Sequence, residues 1–526
     1  MSLKNVIKMK FEKIFIISML VLMICCVTAV SAADIDSTDD IADDITVDEV
    51  SEVIEEVDID DVQEDVVEQD SVDVTTGTVN GNSYTQYFDE NGYLNDSNVW
   101  ELTFNGNFDQ VSESFGNFKI NRHVALDVSG ATFNNIGFDL MAESLNLTGG
   151  TFTSDASATN GAVIRALADS VIVNHTTINV NAPANVNYYA IDVENASTVR
   201  LLNNVITYTC ENLNAASYNY AIKAKNSFNV NIISNNITAD IPLKNPNWDY
   251  WMSIDSDYVA GVAIESCDSA QFLYNNLTVT ANRSTGEYAT LDAFIIAQSQ
   301  WVHVEHNKIV EKDIVTQEGS YSYIYGIDVY SCNGIIINDN TVTMNGDESG
   351  GQIVGGNGTG AAYCVQLSGN HSGVVVSNNV LTTTNNGPNL AIYSQNYHAA
   401  SYLNITGNTI KVTGKAGSDP WSLVSGIEVQ DSSATISGNT VTVNNTAGYV
   451  QGNCAYGISY SQSTAGSHYY DIQRNTVTVY NGDYAVYLLK NDVNGRVMYN
   501  TLSSSNYSAN SAVYADLSRV DVRRNY

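Results

Sequence analysis

The chain has 526 residues and a formal net charge of −36, from 58 acidic and 22 basic side chains. That balance excludes the basic surface a nucleic-acid partner requires. Seven cysteines without a CxxC pair likewise exclude a zinc ribbon or a disulfide framework.

The segment from Met1 to Lys13 is basic, and Ile14 to Ala33 carries no charge and closes on Val30-Ser31-Ala32-Ala33. This order predicts a secretory signal peptide over 1–33, or an uncleaved N-terminal anchor, which would be the only membrane contact. Either one places the remainder outside the membrane. Residues 34–75 hold the densest acid block, with nineteen Asp and Glu between Asp34 and Asp73. Self-repulsion makes this an extended, disordered spacer. It lacks the Asp-x-Asp-x-Asp-Gly spacing of a calcium loop, so no metal is assigned to it.

Residues 76–127 form a lead-in with strands at Leu102-Thr103-Phe104, Phe118-Lys119-Ile120 and Ala125 to Val128. From Val128 onward one phrase recurs: Tyr325-Gly326-Ile327-Asp328-Val329, then Ile335-Ile336-Ile337, then Asp339-Asn340-Thr341-Val342. Each copy holds three short runs that alternate apolar with polar, and so reads as three strands that cannot bury their apolar side alone. Stacking the copies solves this. The expected fold is all-β, a single-stranded right-handed parallel β-helix over 128–526 of about 14 turns and roughly 65 to 70 Å. Copies are 25 to 40 residues apart, the variation falling in one swelling loop.

The recurrent asparagine aligns as Asn204, Asn236, Asn276, Asn307, Asn340, Asn379, Asn408, Asn439, Asn475 and Asn500, with Asn525 in the last, shortened phrase. Its amide is expected to bond to the amides above and below in a structural ladder. Earlier copies carry Ala131, Gly150 and Thr176 instead, so the ladder should break toward the N-terminus. The final phrase stops at Tyr526 with no polar cap apparent. Cys210, Cys267, Cys332, Cys364 and Cys454 read as free thiols, Cys267 and Cys332 standing two turns apart. Of the Asn-x-Ser/Thr sites, those at Asn282, Asn357 and Asn444 lie in swollen loops, whereas Asn236 and Asn276 are read as buried ladder residues with no room for a glycan.

The outward position of the opening strand runs Asp192, Lys223, Glu265, Ile296, Asp328, Gln366, Tyr393, Glu428, Ser459, Tyr487 and Tyr514. Asp192 and Glu265 have the turn spacing of an inverting glycosidase pair. Lys223 between them instead reads as cross-strand charge pairing. The histidines share no column, His303 and His306 being strand and turn positions of one phrase. No catalytic residue, cofactor or metal ligand is therefore assigned. Tyr189, Tyr220, Tyr325, Tyr456 and Tyr484 are expected to stack at a bend. The long loops offer Trp248, Trp251, Tyr321, Tyr323 and Trp421 as candidate binding aromatics.

Leader, acidic spacer, the lead-in Tyr87-Phe88-Asp89-Glu90-Asn91-Gly92-Tyr93-Leu94 and the Asn-Thr-Val/Ile turns together resemble adhesin-like surface proteins of methanogenic archaea. These belong to the right-handed β-helix group shared with pectate lyases. The resemblance implies an exported, non-catalytic rod at the cell surface that binds glycans or surface proteins. A polysaccharide lyase or hydrolase and a structural envelope component are the alternatives.

Overall fold

A computed structural model describes residues 75–526 apart from 82, 113–114, 156–160, 183–186, 211–218, 244–258, 284–287, 316–320, 346–360, 386, 397–401, 418–422, 462–467, 490–493 and 516–519. The expected leader and, Thr75 apart, the acidic spacer lie outside the described residues. No helix among the described residues is long and apolar enough to cross a membrane.

Each regular turn contributes three strands, as in Tyr188–Glu194, Arg200–Leu202 and Val205–Cys210. They pair in parallel with Asn219–Lys225, Asn231–Ile233 and Asn236–Leu243 of the next turn. The opening strands form a first face of 14 strands, and the other two faces join in one 28-stranded sheet. The join lies near the N-terminus, where the single strand Ala125–Asn134 pairs with both Asn146–Thr148 and Thr151–Ser154. The chain is thus a parallel β-helix. Fourteen strands at 4.7–4.9 Å per step make it about 60 Å long.

Alternation drives this winding. In Thr440–Asn445, Val441 and Val443 are buried while Thr440 faces water. Val441 lies in register between Ile410 and Val477. Each such fully buried aliphatic side chain contributes roughly 1.5–3 kcal/mol, and only stacking supplies the burial.

The corner between the second and third faces holds the asparagine ladder. Asn340 Oδ1 accepts from the Asn307 backbone N–H at 3.0 Å and from Asn307 Nδ2 at 2.9 Å. Asn340 Nδ2 donates to Asn379 Oδ1 at 3.0 Å and to the Val304 carbonyl at 2.7 Å. The same pattern runs through Asn204, Asn235, Asn275, Asn307, Asn379, Asn408, Asn439, Asn475 and Asn500 to Asn525. Two assigned members were one residue off: Asn236 and Asn276 are exposed, and Asn235 and Asn275 occupy the ladder. The reason is local. The residue before each ladder asparagine has positive φ, as at Asn203, Ser234, Tyr274, His306 and Asp339. This left-handed residue turns the next side chain inward, and strand alternation sends the one after it outward. In Asn-Asn pairs the sequence alone does not distinguish the two. With Asn236 and Asn276 outside, the steric exclusion of a glycan at these sites no longer holds.

The ladder ends are closed. Toward the N-terminus, the Thr176 N–H and hydroxyl donate to Asn204 Oδ1 at 3.0 and 2.8 Å. At the other end, Asn525 Nδ2 donates to Asn510 Oδ1 at 2.8 Å. Asn510, in the short 3₁₀ segment Ala509–Ala512, thus provides a polar closure that the sequence did not reveal. Where the ladder is missing, phenylalanines fill the first turns. Phe133 and Phe152 stack at 4.7 Å, and Phe104 and Phe138 meet edge to face at 5.3 Å.

The corner between the first and second faces carries a shorter ladder of small polar side chains. Ser227 Oγ accepts the Ala196 N–H, Ser299 Oγ accepts that of Cys267, and Cys332 Sγ accepts that of Ser299. Cys267 and Cys332 therefore do the work of serine, two turns apart and free. Burial pushes the Cys267 thiol up to about 11 and that of Cys332 to about 12. With DTNB at pH 8 the native protein is expected to leave Cys267, Cys332 and Cys364 unlabelled, and denaturation to release them, as read by peptide mass mapping.

Candidate functional site

Of the five aromatics singled out in the loops, Trp248, Trp251 and Trp421 lie outside the described residues. Tyr321 and Tyr323 open the strand Tyr321–Tyr330, where their backbones pair with Tyr288 and Thr290 of the preceding turn.

The outer side of the first face departs from the expected column at two positions. Lys223 stands opposite Ala263, and Ile295 opposite Asp328, so Glu265 and Ile296 do not belong to it. Glu265 instead faces Lys225, at 3.2 Å. Val262 and Phe294 occupy the inward position, and taking Ile264 and Ile295 as its markers shifted the reading. The corrected run Lys119, Asp139, Arg165, Asp192, Lys223 alternates in sign on successive turns. Arg165 approaches Asp139 at 3.6 Å and Lys223 approaches Asp192 at 3.7 Å. The Lys223 ammonium also lies 4.7 Å from the Tyr189 ring centroid. Such pairing is the ordinary way a half-buried sheet face carries charge.

Further along this face the carboxyls lack bases. Asp292 is fully buried and neither of its oxygens has a hydrogen-bond partner. Burial, then the neighbouring Asp328, raises its pKa, and burial likewise raises Asp328. Burial pushes Glu428 up to about 7, against a 2.7 Å hydrogen bond from Gln430 Nε2. Asp328 and Glu428 are three strands apart, through Gln366 and Tyr393. That is about 14 Å at the inter-strand spacing, beyond the reach of a glycosidase carboxyl pair. No group of three His, Cys, Asp or Glu able to hold a metal occurs among the described residues.

The tyrosines of this face stack in patches, not as one column. Tyr189 stacks on Tyr220 at 5.8 Å, Tyr325 on Tyr363 at 5.1 Å, and Tyr456 on Tyr487 at 4.2 Å. Ala260 and Asp292 follow Tyr220 in register and interrupt the run before Tyr325.

Phe228, Tyr274, Trp301 and Tyr402 face solvent in the middle of the helix, and two of them, on consecutive turns, flank the second face without having been singled out in the sequence. Trp301 is 61% exposed and Tyr274 58%. Both hold positive φ at corners of the winding, where other turns place Asn229, Ser269 and Gly334 in the Trp301 column and Asn203, Ser234 and Asp339 in the Tyr274 column. The Trp301 ring lies over Gly334 of the next turn, so closely that a Cβ there would sit 2.6 Å from Trp301 Cε3. Tyr274 stacks on His306 at 4.8 Å with the rings 8° from parallel. Between the two corners, on the strand His303–Glu305, His303 Nδ1 lies 2.8 Å from Glu305 Oε1. The available signal was a bulky aromatic at a left-handed corner, which is an uncommon placement.

No family model matches the chain, and no curated protein does. Among solved structures it is similar to PfbA, a surface adhesin of Streptococcus pneumoniae, with 14% identity over 69% of this chain and 86% of that one, at a TM-score of 0.39. A PL6 alginate lyase in complex with a trisaccharide gives 12% identity over 86% and 95%, at 0.35. The Dettilon tailspike protein gives 12% over 69% of this chain and 62% of its own, less than two thirds of that protein, at 0.36. Likenesses of this size carry no functional argument, and the β-helix stands on its own strand pairing.

Proposed function

We propose that the chain is an exported, non-catalytic surface protein, a β-helical rod that binds glycans or other surface partners through side chains projecting from its corners and loops. The observation that carries this reading is the pair of exposed, braced aromatic rings at Tyr274 and Trp301, because large apolar rings left in water are characteristic of recognition surfaces. The resemblance to adhesin-like proteins of methanogenic archaea, the basic-then-apolar leader and the acidic spacer point the same way. A glycan array with the full chain, run beside a reducing-end and unsaturated-uronate assay on acidic polysaccharides, tests it. Binding without turnover is the expected result.

A polysaccharide-cleaving enzyme is the second reading, favoured by the buried carboxyls Asp292 and Asp328 on neighbouring turns. New reducing ends or unsaturated products, lost in Asp292→Asn, would replace the first reading with this one.

A further inference from the structure

We propose that the second face between Trp301 and the Tyr274–His306 stack is a binding site for an uncharged oligosaccharide lying across the short strand His303–Glu305. This rests on the surface-binding reading above and assigns it a place and a ligand class.

Three features converge on this face. First, the rings are braced by the winding. Trp301 lies against Gly334, whose φ of +65° and missing Cβ leave the space the indole occupies. Tyr274 is held parallel to His306 of the next turn, and His306 Nδ1 lies 3.9 Å from Asp339 Oδ2. A braced aromatic face is what the C–H side of a pyranose stacks on, since little side-chain freedom remains to be lost. Second, the spacing suits an extended ligand. Trp301 and His306 are five residues apart on one turn, so the two platforms are on the order of 15 Å apart. Third, the floor between them carries polar groups among apolar ones. The outward His303 and Glu305 form a donor and acceptor pair, with Gln271 and Ile336 beside His303 and Leu273 and Asn338 beside Glu305 in register on the adjacent turns.

Charge selects the class. Asp268, Glu305 and Asp339 surround the face and outnumber the exposed base beside it, Lys308, while Lys225 is engaged with Glu265. Uronic-acid polymers would meet net repulsion, whereas neutral hexopyranoses would not. A protein partner would favour a continuous apolar centre, and here the His303–Glu305 pair interrupts the apolar groups between the rings.

The test uses the full chain and a panel of neutral gluco-, galacto- and manno-oligosaccharides, with uronic-acid oligosaccharides alongside, by calorimetry and tryptophan fluorescence. Trp301→Ala and Tyr274→Ala are each expected to weaken binding of a neutral oligosaccharide about tenfold or more. Both side chains are exposed, so the thermal melt should be unchanged. Gly334→Ala leaves both rings in the sequence but drives a Cβ into the indole, and is expected to weaken binding as well. Binding that survives all three variants overturns the site while leaving the surface-binding reading intact. Binding confined to uronic-acid glycans overturns the ligand class, and no binding to any glycan overturns the site together with the glycan part of that reading.

Discussion

Asn340→Leu is expected to destabilise the turns around it by about 4 kcal/mol or more, while Asn236→Leu changes stability by less than about 0.5 kcal/mol. The Asn340 amide makes four hydrogen bonds inside the winding, to the Asn307 N–H and Nδ2, Asn379 Oδ1 and the Val304 carbonyl. Leucine fits the volume but leaves those partners buried and unbonded, at roughly 1–3 kcal/mol each. Asn236 faces solvent one residue after its ladder member Asn235, and no ladder bond depends on it. A solenoid of many turns does not unfold in one step, so the readout is local. Hydrogen exchange at the amides of Asn307 and Asn340, with their Oδ1 acceptors on the next turn, should accelerate in Asn340→Leu and stay unchanged in Asn236→Leu. Equal effects at both positions would refute the ladder register.

The repeat was legible because alternation with period two and a recurrent asparagine are properties of the one-dimensional chain, and stacking is the only way such phrases bury themselves. Val441 and Val443, Ile337 and Val342 are buried, as that alternation requires. What escaped was set by backbone conformation. Ser234 and Tyr274 take positive φ, which decides that Asn235 and Asn275 turn inward, and nothing in an Asn-Asn pair announces it. Register was lost in the same way at Val262-Ala263-Ile264, where two aliphatic residues both face the core and either could mark the turn. Long loops commonly carry function, which is what makes Trp248, Trp251 and Trp421 candidates from sequence. Trp301 and Tyr274 lie at tight corners and are recognisable as exposed only once the corners are known. The Cys267 and Cys332 ladder was equally hidden, because a thiol substituting for serine requires knowing that both stand on one column.

The folded protein is expected to be more stable near pH 6 than near pH 8.5, and Glu428→Gln to remove part of that slope. Glu428 titrates in the fold at about 7, against an ordinary 4.5, because burial disfavours its charged form. Its folded pKa is raised, so the folded state holds the proton more tightly. The penalty is absent below about 4.5, grows through the interval, and is complete above about 7, where it amounts to roughly 3 kcal/mol. Burial shifts Asp292 and Asp328 in the same direction, the charge of Asp328 adding to the shift of Asp292, and both act with the same sign. His371 opposes them, because burial lowers it to about 4 and the fold therefore loses stability as pH falls from 6.5 toward 4. Near pH 6 that loss is small, and three carboxyls outweigh it. The net charge of −36 also pushes the fold apart as carboxylates ionise, but that contribution is screened by salt, whereas buried groups are screened much less. Guanidinium midpoints for the turns around Glu428, read locally by hydrogen exchange at pH 6 and 8.5 and corrected for intrinsic exchange rates, isolate the buried contribution, since this ionic denaturant itself supplies the screening. In Glu428→Gln the amide oxygen still accepts from Gln430, so the variant should match the parent near pH 4.5 and exceed it above pH 7. A midpoint that rises from pH 6 to 8.5, or a variant with the parent's slope, would show that these carboxyls meet water in solution.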